Sequence, residues 1–160
     1  MTNMRQITLS KKEIKGLNSE ISTHYSIDEF FSKDDFVALA EDTYILRDGE
    51  IMFFYKEDLL LPSLRLILQN NFLKNIVINM GAVPFIAKGA DLMRPGIVGV
   101  DAYVEEGSIV AIVDEKNLKP IAVGQSLFSK DEMQEMEVGK VVLNLHYVGD
   151  DVWNFTTGPE

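Results

Sequence analysis

The 160-residue chain is 46% hydrophobic and 25% charged, a composition that supports a buried globular core and argues against disorder. It has no apolar run near the ~20 residues a bilayer span needs, no secretory-type apolar stretch behind Met1, and no cysteine for a disulfide or thiolate metal site. A cytoplasmic protein that does not touch a membrane is expected. The net charge of −10 is uneven: nine Lys+Arg stand against twelve Asp+Glu up to residue 75, and six against thirteen after it, giving −3 and −7. Nucleic-acid binding draws on cations that release counterions from phosphates. Any such site here is therefore expected as a local basic patch on an acidic body.

The first element in chain order is a helix opening at Ser10-Lys11-Lys12-Glu13, a capping box, with Ile14, Leu17 and Ile21 forming one apolar stripe. Phe36-Val37-Ala38-Leu39 reads as a short buried strand. A hairpin is expected over residues 44–55, its Asp48-Gly49 pair suited to a two-residue turn with positive φ. Pro62 is placed in the first turn of a short helix that continues through Leu64, Leu66, Ile67 and Leu68 and ends at Asn70-Asn71. A domain boundary is expected near Lys74-Asn75.

Only Gly16 and Gly49 precede residue 75, and the other nine of the 11 glycines follow it, which points to a turn-rich, β-rich second half. Strands are expected at Ile76-Val77-Ile78 and over residues 83–87. A helical turn is then expected at Gly89-Ala90-Asp91-Leu92-Met93, stopped by Pro95-Gly96. Residues 108–113 and 120–125 read as two strands. Ser129-Lys130-Asp131-Glu132 is a second capping box opening a short helix, and residues 141–148 form a long closing strand. Five or six strands with two short helices suggest a small closed or nearly closed barrel. The fold class is α+β, with an N-terminal α/β domain at residues 1–74, a β pseudo-barrel with two short helices at 75–155, and a flexible tail at 156–160.

Catalytic signatures are missing. The two histidines, His24 and His146, lie in different halves, and no H-E-x-x-H, Walker loop, G-x-S-x-G or G-x-G-x-x-G motif occurs. No enzyme, metal site or cofactor is expected. His146 reads as a partly buried histidine satisfied by a hydrogen bond, with a ligand contact as the alternative. Trp153 reads as a barrel-filling ring, with base stacking as the alternative. The informative segment is residues 88–97. Gly89 and Ala90 let another backbone approach, Gly96 is expected to supply an unusual backbone angle after Pro95, and Lys88 and Arg94 bracket the turn. Such a surface could grip a phosphate through backbone N–H groups and a guanidinium.

The block Gly89-Ala90-Asp91-Leu92-Met93-Arg94-Pro95-Gly96-Ile97 resembles the signature of the PUA domain. Residues 107–113, 120–126, 139–142 and 145–153 resemble its later strands in order. Leu61-Pro62-Ser63-Leu64-Arg65 is similar to a segment of the malignant T-cell amplified sequence proteins and their archaeal relatives, which have a pre-PUA domain followed by a PUA domain. The resemblance implies binding of structured RNA, tRNA or rRNA, in translation initiation or recycling. The RNA surface is expected at Lys88, Gly89, Ala90, Asp91, Arg94, Pro95, Gly96 and Ile97. The resemblance also implies the small ribosomal subunit and a protein with a translation-initiation-like domain as partners. The acidic charge favours an alternative, a protein–protein adaptor whose barrel has lost its RNA role. An RNA-modifying enzyme is the third reading, with only about 75 residues for a catalytic domain and no catalytic constellation in them.

Overall fold

A computed structural model describes residues 5–155. The strands fall into two separate sheets, and the described chain divides into two compact units, residues 5–62 with Phe155 and residues 63–154.

The first unit is an antiparallel meander of β1 (Gln6–Thr8), β2 (Val37–Ala40), β3 (Tyr44–Arg47), β4 (Glu50–Lys56) and β5 (Leu59–Pro62), paired in chain order, with α1 (Lys11–Tyr25) between the first two strands. The expected capping box is present: the Ser10 hydroxyl accepts from Glu13 N and the Glu13 carboxylate accepts from Ser10 N. Ile14, Leu17 and Ile21 are buried along one face of α1. The β3–β4 turn is the Asp48-Gly49 pair, with φ of 54° and 84°. A second two-residue turn, Glu57-Asp58 with φ of 48° and 65°, was not foreseen, because neither residue is a glycine or an asparagine. It creates β5, so Pro62 ends an edge strand opposite Phe53 and does not open a helix. An edge tolerates its missing N–H.

The second unit holds a curled, half-barrel sheet of six strands. These are β6 (Lys74–Ile78), β7 (Leu92–Met93), β8 (Ile97–Val100), β9 (Ile109–Asp114), β10 (Pro120–Ser126) and β11 (Lys140–Tyr147), in the order β7-β11-β10-β9-β6-β8. Strand β6 runs parallel to β9 and the other pairings are antiparallel. Three short helices accompany them: α2 (Leu64–Gln69), α3 (Val83–Ile86) and α4 (Lys130–Gln134). The strand expected over residues 83–87 is thus a helix, which Pro84 can join because the first turn has no use for its N–H. The helical turn expected at residues 89–93 instead contains β7, followed by a 3₁₀ turn at Arg94–Gly96.

The β9 strand explains the unbroken apolar run of its sequence. Val110 and Ile112 join one core with Ile76, Ile78, Leu92 and Val142, while Ala111 and Val113 face Leu64 and Ile67 of α2 on the other side. A strand covered on both faces has no solvent side to make polar. By contacts α2 therefore belongs with the second unit, which starts at Ser63. Trp153 also lies on the α2 side, half-buried, with the Arg65 guanidinium carbon 3.8 Å from its ring centroid; it clamps α2 and does not fill the inner core. The tail expected at 156–160 lies outside the described residues.

His146 fastens α2 to the sheet. It is buried, its Nε2 accepts the Leu64 N–H at 2.8 Å, and its Nδ1 stands 2.8 Å from the Asp150 carboxylate. The first contact requires a lone pair on Nε2, so the ring proton sits on Nδ1 and is donated to Asp150. Burial raises the Asp150 pKa, but hydrogen bonds from His146 and from the Trp153 and Tyr147 N–H groups outweigh it and hold the carboxyl below the usual range. His146→Ala strands a buried helix N–H, and urea unfolding is expected to show a loss of about 1–3 kcal/mol. No loss would mean that α2 is held by its apolar face alone.

Candidate nucleic-acid interface

Residues 88–97 do not form a compact turn with its amides facing out. The chain leaves α3 through Gly89 at φ +101° and then runs antiparallel to β11, Leu92 opposite Val142 and Met93 opposite Lys140. A Cβ on Gly89 would stand 2.8 Å from the Tyr147 ring, so this position requires glycine on two counts. Gly96 has no positive φ. Its Cβ would lie 3.1 Å from both Ala82 Cβ and Leu92 Cδ1, so its role is close packing, and the expected unusual angle is absent.

Four of the amides expected to form a cradle are already used. Lys88 N and Ala90 N donate to Phe85 O at 3.2 and 3.0 Å, Gly89 N to Ile86 O at 3.0 Å, and Arg94 N to Gly139 O at 2.7 Å. Asn144 organises the middle of the segment. Its backbone N–H donates to Asp91 Oδ1 at 2.8 Å, and its side-chain amide donates to the carbonyls of Ile86 and Ala90, both at 3.0 Å. The other Asp91 oxygen accepts from Lys140 Nζ at 3.0 Å. Burial alone would raise the Asp91 pKa; the Asn144 N–H and the Lys140 ammonium outweigh it and lower it. Pro95 and Gly96 give their carbonyls to Asn79, and Ile97 packs on the core.

What remains for a ligand is side-chain charge. Lys88 is exposed, and no ion pair among the described residues involves Lys88 or Arg94. The Arg94 Nε donates to Met133 O at 2.7 Å, a carbonyl near the end of α4, which fixes the guanidinium and leaves the η nitrogens to point elsewhere. The two cations stand at opposite ends of the strip, at most roughly 22 Å of chain apart. Lys140, opposite Met93, was not foreseen and adds a third cation, partly neutralised by Asp91. Phe85, 67% exposed at the Lys88 end, was not foreseen either. A cleft of about 1020 Å³ lies elsewhere, along α1, lined by three lysines (Lys11, Lys15 and Lys33) and two carboxylates (Asp28 and Glu29). No group of three or more metal-ligating side chains occurs among the described residues, and none of their helices is long and apolar enough to cross a membrane.

Comparison with known proteins agrees with this architecture. Residues 74–148 match the family model described as PUA domain, and residues 6–70 match the one described as Domain of unknown function (DUF1947). The chain is 30% identical to Malignant T-cell-amplified sequence 1 of Danio rerio, over 94% of this chain and 91% of the relative. The chain belongs to the malignant T-cell-amplified sequence family. The family likeness extends to Translation machinery-associated protein 20 of Saccharomyces cerevisiae, 32% identical over 81% of this chain and 78% of that one. An uncharacterized protein of Methanocaldococcus jannaschii is 41% identical over 92% of this chain and 94% of its own. Among solved structures, a hypothetical protein of Pyrococcus horikoshii superposes with a TM-score of 0.80 at 32% identity, covering 96% of this chain and all of that one.

The lowered pKa of Asp91 carries a pH signature. A depressed carboxyl stabilises the fold above the ordinary aspartate pKa of about 3.9, and this contribution disappears as pH falls through its folded value. The stability gap between the parent and Asp91→Asn is expected to be present at pH 7 and to close toward pH 3 in urea unfolding. A gap of the same size at both pH values would show that the charge of Asp91 does not matter.

Proposed function

We propose that this protein binds structured RNA, tRNA or rRNA, in translation, without a catalytic activity of its own, and works in the cytoplasm. The observation that carries the reading is that Lys88 and Arg94, neither in an ion pair among the described residues, bracket the edge strand β7 in a half whose net charge is −7. The relatives named for the translation machinery support it. In this reading Arg94 is the main phosphate contact, since its planar fork pairs bidentately, and Lys88 assists. Ala90, small and exposed, leaves room for a sugar-phosphate chain to approach, while Gly89 makes room for the Tyr147 ring that backs the strip. Asp91, Pro95, Gly96 and Ile97 shape the strip from beneath. We propose residues 1–74 as the pre-PUA domain and 75–155 as the PUA domain, a division supported by the matches at 6–70 and 74–148.

Two or three cations release few counterions, so additional contacts must come from the small ribosomal subunit or from a partner protein with a translation-initiation-like domain. The acidic excess after residue 75, −7, favours the second reading, an adaptor that binds protein alone. A tRNA titration at several salt concentrations separates the two. Arg94→Ala is expected to fold normally, bind more weakly, and lower the salt slope by about one unit. Leu92→Ala, at a position 1% exposed, is expected to lose about 2–5 kcal/mol of stability instead. If Arg94→Ala binds like the parent at every salt concentration, this edge is not the RNA site; if the parent binds no RNA at low salt, the adaptor reading stands.

A further inference from the structure

The cleft along α1 is built by two stretches of chain that run in opposite directions. After the C-cap at Ser26 the chain returns along the helix. Asp28 accepts from the Ser22 hydroxyl at 3.0 Å, the Asn18 side chain bonds both the N–H and the carbonyl of Phe31, and Val37 O accepts from Leu9 N at 2.9 Å. These ties fix the order of the groups that line the cleft. Lys33 follows the Phe31 tie and so stands at the Lys11 and Lys15 end, whereas Asp28 and Glu29 stand at the Ser22 end. Ile14 and Phe31, both buried, form the floor between them. The cleft thus has a cationic end, an apolar middle and an anionic end.

Folding explains neither charged end. Lys11, Lys15, Lys33, Asp28 and Glu29 are exposed, and no ion pair among the described residues involves them. Lys11 lies in the first turn of α1, where the helix dipole disfavours a cation, and it repels Lys15 four residues on. Asp28 lies beside the last turn, where the dipole disfavours an anion. The charges are complementary to something outside the fold, and the size of the cleft selects what. From Lys11 to Ser22 the helix rises roughly 16 Å. A free amino acid, with its two charges one carbon apart, spans a fraction of that. A nucleic-acid strand is negative along its whole length and would meet Asp28 and Glu29. An extended peptide of about five residues has the required reach. We propose that this cleft docks an extended segment of a partner protein, with Asp or Glu at the lysine end, an apolar side chain over Ile14 and Phe31, and Lys or Arg at the Asp28 end. The inference concerns the first unit and stands apart from the RNA reading of the second.

The test pans a display library of random short peptides on the immobilised full chain and measures the best peptide by fluorescence anisotropy. Enriched peptides are expected to carry acidic residues toward one end and basic residues toward the other, around an apolar centre. Lys15→Glu combined with Lys33→Glu is expected to weaken the best peptide by about 2-fold to 30-fold, the loss of two exposed ion pairs, and less at high salt. Panning on that variant should remove the acidic end from the enriched peptides and keep the basic end. Asp28→Lys combined with Glu29→Lys should do the converse. Since all four side chains are exposed, both variants are expected to melt close to the parent. Should a reversal melt early, the neutral Lys15→Gln with Lys33→Gln gives the same reading. A library that yields no binder, or binders without charge order, or binders indifferent to both reversals, overturns the inference. If the lysine variant weakens tRNA binding and leaves the peptides unaffected, the cleft takes nucleic acid, and the inference falls while the RNA reading survives.

Discussion

The side-chain amide of Asn144 is the contact on which the candidate edge depends. It projects from β11 and donates one hydrogen to each of two carbonyls, that of Ile86, which also accepts from Gly89 N, and that of Ala90. Its own backbone N–H is taken by the Asp91 carboxylate, whose second oxygen holds Lys140. One residue thereby ties the end of α3, the Gly89 turn and the start of β7 to the same strand. Each such hydrogen bond contributes about 0.5–1.5 kcal/mol, and together they tie the path from α3 to β7 to where this amide can reach. The exposure of Phe85 and Lys88 follows from that path, as does the separation of Lys88 from Arg94.

A second constraint acts from the opposite face. Because β9 is apolar on both sides, something has to cover Ala111 and Val113, and α2 does so with Leu64 and Ile67. The His146 ring then pins the first N–H of α2, and Arg65 reaches back to the Trp153 carbonyl and lies over its ring. The compact unit consequently starts eleven residues before the PUA family match does, at Ser63 against residue 74. The two boundaries answer different questions. Homology records which segment is shared with other PUA domains, whereas contacts record which segment the sheet needs in order to bury both faces.

Much of this was legible in the sequence, wherever the signal is local. Both capping boxes close within four residues, and the Asp48-Gly49 turn needs only its own backbone angles, so each reads correctly without knowledge of the fold. Errors arose where a distant partner decides. Residues 83–87 are apolar whether strand or helix; Pro84 in the first turn suits the helix, and Asn144 then meets the Ile86 carbonyl at its end. The amides of residues 88–90 looked available for a phosphate because nothing nearby in sequence says that Phe85 and Ile86 will accept them. The Glu57-Asp58 turn carries no glycine, so the strand behind it went unread. Lys88 and Arg94 could be picked out by charge alone, but Phe85 could not, because in a run of apolar residues an exposed ring looks like a buried one.

The net charge of −10 is compatible with an RNA edge once distance is considered. At physiological salt the field of an exposed carboxylate decays over about 8 Å, so acidic residues on remote surfaces oppose a phosphate at the strip only weakly. Asp91, the carboxylate within the strip, is already engaged by Lys140 and the Asn144 N–H. What the acidic body removes is long-range attraction: it provides no funnel that draws RNA in from solution. An edge of this kind discriminates by shape and by direct contact rather than by charge. The proposed division of labour follows from that, with Arg94 fixing the backbone register and the remaining affinity supplied by whatever larger surface holds the RNA in place.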